Sequence, residues 1–63
     1  MKIYFPKGLS PYKNSNLFAL AYRVALDTYD IIALYENFGD CQQQTLLGDD
    51  LYTIDLNTYE VIL

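Results

Sequence analysis

Histidine and tryptophan are absent from this 63-residue chain, and cysteine occurs once, at Cys41. Without His the usual nitrogen ligand is missing, so no zinc-type cluster is expected. A single thiol permits no internal disulfide. Basic residues are also scarce, and none follows Arg23. No apolar run reaches the roughly 18 residues that a membrane-crossing helix needs. The opening "MKIYFPKGLSPYK" lacks the apolar core and small-residue cleavage site of a signal peptide. With one free Cys, which suits a reducing interior, this sets the expectation of a cytoplasmic protein.

What remains is a globular composition: 52% hydrophobic residues, three Gly and two Pro. The length makes one small domain, residues 1–63. Such a domain buries only about 60% of its unfolded surface, and chains of this size commonly lean on a disulfide, a metal or a partner. Here the partner is the support left. Seven Tyr supply large, stiff side chains with a polar tip, the type enriched where proteins meet.

The net charge of −4 is segregated: Lys2, Lys7, Lys13 and Arg23 precede residue 24, and all eight acids follow it. Direct nucleic-acid binding, which needs a basic stripe, is disfavoured. An acidic surface favours a basic protein partner and speeds the encounter, although solubility alone also explains acids.

Along the chain, "KIYF" reads as a first strand ended by Pro6, and "PKGLSPYKNS" as a loop in which Asn14 or Ser15 caps a helix. "NLFALAYRVALD" (16–27) reads as that main helix. Its polar stripe is Asn16, Arg23 and Asp27, its core face Leu17, Phe18, Ala21, Val24 and Ala25, and Tyr22 and Leu26 lie on an open flank. Residues 29–38 carry two signals. The spacing of Ile31, Leu34, Tyr35 and Phe38 is helical, while adjacent Ile31 and Ile32 beside Tyr favour a strand, with "ENFGD" a turn. The strand is preferred.

"LYTIDL" and "YEVIL" form a hairpin about Asn57-Thr58. That register sets Leu56 opposite Tyr59, Ile54 opposite Val61 and Tyr52 opposite Leu63 on an inner face. Thr53 opposite Ile62 and Asp55 opposite Glu60 fall on an outer one. The expected fold is α+β: a short N-terminal strand, one main helix, then a small antiparallel sheet ending in a C-terminal hairpin.

Two carboxylates directly across a hairpin repel, so Asp55 and Glu60 are the first candidate contacts, extended by Asp49, Asp50 and Asp40 at neighbouring turns. Tyr22 and Tyr35 add contact area; Tyr52 and Tyr59 are expected inward. Catalytic use of the acid pair needs a cleft that so short a chain hardly encloses. "DLNTYE" resembles the start of a calcium loop but has Glu60 where Gly is required, and too few residues follow for the closing Glu. Cys41 follows Asp40 and has no base to activate it. "KGLSPYK" has one Gly where a phosphate cradle needs several. No cofactor or metal is expected.

Very small, acidic and Tyr-rich, with its acids gathered in segment 49–60, the chain resembles small phage-encoded inhibitors of bacterial defence, anti-CRISPR proteins among them. Several such families act by occupying the DNA-binding surface of a nuclease. The resemblance covers size and charge, matches no motif, and carries over no residue role. It implies a non-enzymatic inhibitor or regulator that meets the basic surface of a larger protein. The basic first 23 residues depart from a uniformly acidic DNA mimic and confine mimicry to one face. The alternative is a small accessory protein that self-associates while its acids only solubilise it; an enzyme subunit whose active site lies elsewhere is a third reading.

Overall fold

The computed structural model describes residues 1–9 and 17–62. Five strands, β1 (Lys2–Tyr4), β2 (Phe18–Ala25), β3 (Thr28–Tyr35), β4 (Leu51–Asp55) and β5 (Glu60–Val61), and one helix, α1 (Phe38–Thr45), make up the fold. The strands form a single sheet in the order β1-β3-β2-β4-β5. β1 pairs with β3 in parallel, and every other neighbouring pair is antiparallel. The sheet is therefore mixed, not antiparallel throughout.

The largest departure from the sequence reading is at β2. The segment expected as the main helix is the central strand, flanked by β3 and β4. A strand buried on both faces carries a continuous apolar run, which also satisfies helical spacing. Ala19 and Ala21 are fully buried on one face, and Leu20 is buried on the other. The nearly all-round apolar character of "LFALA" is thus the mark of a two-sided strand. Two irregularities break its ladder with β3: Ile32 is extra on β3, and Val24 on β2.

The helix lies where the sequence reading placed a turn. Asn37 precedes α1 in an extended conformation, Asp40 lies in its first turn, and a run of Gln carries it onward. Residues of the Asn and Asp type suit both turns and helix starts, and Asp near the N-terminus favours the helix dipole. Leu46 and Leu47 close the last turn with N–H bonds to Gln43 and Gln44 carbonyls at 3.3 and 3.1 Å. The preference for a strand over residues 29–38 agrees with β3 as far as Tyr35; Phe38 already belongs to α1.

Alternation along each strand gives the sheet two covered faces. α1 packs over β4, β2 and part of β3. Beneath it, the Thr53 hydroxyl donates to Cys41 Sγ at 3.4 Å, and the Phe18 and Phe38 rings meet edge-on at 5.8 Å. On the opposite face Ala19, Ala21, Tyr29, Ile31 and Ile54 form the core, and Phe5, Leu9, Leu34 and Tyr52 pack against it. The face expected to be wet is therefore dry at Thr53, which is fully buried.

The hairpin keeps part of its expected register. Ile54 pairs with Val61 and Asp55 with Glu60, and Ile62 N–H donates to the Thr53 carbonyl at 2.9 Å. Leu56 and Tyr59 do not pair. They belong to a four-residue turn, in which Tyr59 N–H reaches the Asp55 carbonyl at 2.7 Å. The cap at Asn14 or Ser15, Asn16 of the polar stripe and the Tyr52–Leu63 pair lie outside the described residues.

Candidate protein-binding surface

The ladder divides the seven residues singled out in the sequence between two ends of the sheet. At one end Tyr35 pairs with Phe18, Phe18 with Asp55, and Asp55 with Glu60, a row across four strands. Asp40, in the first turn of α1, belongs to this end because Phe38 meets Phe18 edge-on. At the other end Tyr22 pairs with Leu51, directly after Asp49 and Asp50. The two rows are four residues apart along β2, roughly 13 Å at 3.3 Å per residue.

Charge is handled differently at the two ends. Asp50 holds a left-handed backbone, φ +57°, a conformation that Asp tolerates better than most residues. Its carbonyl accepts from Arg23 N–H at 2.9 Å, and its carboxylate lies 3.5 Å from the Arg23 guanidinium. That guanidinium also stands 5.6 Å from the centre of the Tyr52 ring, whose edge-on neighbour is Tyr29. Asp27, in the β2–β3 turn, pairs with the α-amino group of Met1 at 2.9 Å. Asp50 is thus engaged within the molecule, holding the α1–β4 turn against β2.

Glu36, Asp40, Asp55 and Glu60 form no ion pair among the described residues. Asp55 has a local duty: its Oδ1 accepts from Asn57 N–H at 2.8 Å, an Asx turn that starts the loop. This explains why an acid stands there, but not why Glu60 opposes it. Tyr59 is a further correction to the sequence reading. Instead of facing inward it is 40% exposed, and its φ is +58°. Left-handed backbone costs a non-glycine residue about 1–2 kcal/mol, and bulky side chains rarely adopt it.

Glu36 was missed in the sequence. Had the helix been recognised from Asn37 onward, Glu36 and Asp40 would have fallen together at its start. Cys41, the buried residue of α1, is fully enclosed between the helix and the sheet. Burial pushes its thiol pKa up, against a smaller lowering by the Thr53 hydroxyl, so at neutral pH the thiol stays protonated. No group of three or more His, Cys, Asp or Glu is arranged to hold a metal among the described residues. No helix among them is long and apolar enough to cross a membrane. No protein-family model matches the chain, and neither the curated proteins nor the solved structures yield a match.

Proposed function

We propose that this chain is a non-enzymatic binding protein that inhibits or regulates a larger partner through the acidic end of its sheet. The observation that carries this is Tyr59, held at φ +58° immediately before Glu60 and beside the Asp55–Glu60 pair. Gly or Asn would sit in that turn with less strain, and a neutral or basic residue at position 60 would remove the repulsion between the two acids. Strained backbone and like charges together cost stability without improving the core, the pattern expected where a surface is kept for contact. An exposed Tyr ring beside two carboxylates suits Lys or Arg, which take an ion pair from the acids and a cation–π contact from the ring.

The partner is a protein with a basic surface. A nucleic-acid-binding enzyme, of the kind that phage-encoded inhibitors occupy, is its most specific form, and the cytoplasm is where the two would meet. The mechanism is competition: the acidic end covers cations that otherwise contact phosphate, and long-range attraction speeds the encounter.

The test is affinity capture from bacterial lysate with the wild-type chain and with an Asp55→Asn, Glu60→Lys double variant, in which Asn keeps the Oδ1 acceptor of the turn. A basic protein is retained by the wild type at low ionic strength, is lost as salt rises, and is lost by the variant while its circular dichroism is unchanged. Retention that ignores both salt and the change of charge sinks the reading.

A second reading, self-association, is favoured by one observation at the opposite end. Leu26, Leu46 and Leu47 are 88%, 81% and 76% exposed, in the β2–β3 and α1–β4 connections. Sedimentation equilibrium decides this. A dimer that survives high salt and is broken by Leu46→Lys with Leu47→Lys supports it, and a monomer at all concentrations removes it.

A further inference from the structure

The outer edge of β3 is covered by β1 over Thr28, Tyr29 and Asp30 alone. Pro6 has no N–H to continue the ladder, and Phe5 turns into the core. From Ile31 to Tyr35 no strand among the described residues pairs with that edge. Five residues span about 16 Å, room for a short strand. This stretch, "IIALY", has neither a charge nor a Pro, two of the devices by which proteins guard an edge, and its one irregularity is the extra residue Ile32. Ile32 is exposed beside it.

A recess of about 270 Å³ lies where β1 stops, lined by Tyr4, Phe5, Pro6, Asp30 and Ile31. Asp30 is exposed there and forms no ion pair among the described residues. Glu36 follows Tyr35 at the far end of the open edge. Among the described residues the edge is therefore an unpaired, uncharged length of backbone with a carboxylate at each end and a recess at its start.

We infer that this edge receives an extended segment of another protein, apolar in its middle and carrying Lys or Arg at its ends. Main-chain hydrogen bonds to β3 supply affinity, and the recess and the two acids select the side chains, as in strand addition generally. A second copy of this chain fits less well. Antiparallel pairing about Ala33, which matches the whole open edge, sets Asp30 opposite the copy's Glu36 at both ends. Each copy also carries a net charge of −4.

The inference rests on the reading of the chain as a binding protein for basic partners, and adds the backbone contact to it. The probe is a capped peptide, KVTVTVK, titrated into ¹⁵N-labelled protein. Comparisons are EVTVTVE and a form of the basic peptide N-methylated at alternate amides. The expected result is amide shifts confined to Ile31–Tyr35 and the adjoining Tyr4 and Phe5. The acidic peptide should bind about tenfold or more weaker, and the methylated one should not bind. Asp30→Asn, an exposed change, narrows the difference between the two charged peptides. Shifts centred on Asp55 and Glu60, equal binding of the methylated peptide, or an edge already protected in a dimer each overturn the inference. If the captured partner binds Asp30→Asn unchanged, shields none of the Ile31–Tyr35 amides and still depends on Asp55 and Glu60, strand addition fails while the binding-protein reading stands.

Discussion

At one end of the sheet Arg23 lies 3.5 Å from the Asp50 carboxylate and 5.6 Å from the centre of the Tyr52 ring. At the other, Asp55 stands across from Glu60, and Tyr59 beside them holds a left-handed backbone. Charge at the first end joins α1's exit to β2; charge at the second forms, among the described residues, no ion pair and only the Asx turn. Both ends belong to the same small sheet and share β2 and β4. The difference teaches that what the ladder brings near it, not residue type, decides whether an Asp here braces the fold. Substitutions that remove charge or strain should therefore have opposite signs at the two ends.

The core between the ends gives the largest effect. Ile54 is fully buried and pairs with both Ala19 and Val61, so Ile54→Ala should lower unfolding free energy by about 2–5 kcal/mol in urea titration. Tyr signals from both ends should be lost together; loss of the acidic end alone would show that the ends are separate cooperative units. Next, Arg23→Ala should destabilise by about 1–2 kcal/mol, combining a partly exposed ion pair with the ring contact. No loss would remove the contrast between the ends.

At the acidic end the sign reverses. Tyr59→Gly should stabilise by about 0.5–1 kcal/mol, the relief of left-handed strain less the added freedom of the unfolded chain. Thermal melts read this, and a clear loss would mean that the ring braces the fold. Smallest is Glu60→Lys, which turns a repelling cross-strand pair into an attracting one and should add about 0.2–1 kcal/mol, fading with salt. Both changes are expected to weaken partner binding while they strengthen the fold, a divergence that a purely solubilising role would not produce.

Two pairs of the hairpin register, Ile54 with Val61 and Asp55 with Glu60, were legible in the sequence because the residues alternate over too few positions to permit a slip that keeps the apolar side intact. β3 was legible from Ile31 and Ile32, β-branched and adjacent. β2 was not, since a strand buried on both faces loses its period of two, and "LFALA" satisfies a helix equally well. α1 was not, since Asn37, Gly39 and Asp40 serve a turn as readily as a helix start. Of the candidate contacts, the Asp55–Glu60 pairing could be read in advance. The engagement of Asp50 by Arg23 could not, since the two are distant in sequence and only the β2–β4 pairing brings them together.

By itself the sequence determined composition and local pairing: one thiol, no His, cations early and acids late, and a C-terminal hairpin whose apolar side chains alternate. These are properties of single residues or of neighbours within a turn. The tertiary structure alone decided that an Ala-rich apolar run lies flat between two strands instead of coiling, because two covered faces were available to bury it. It also decided that Tyr59 turns outward, because a four-residue loop closes the hairpin where a two-residue one was expected.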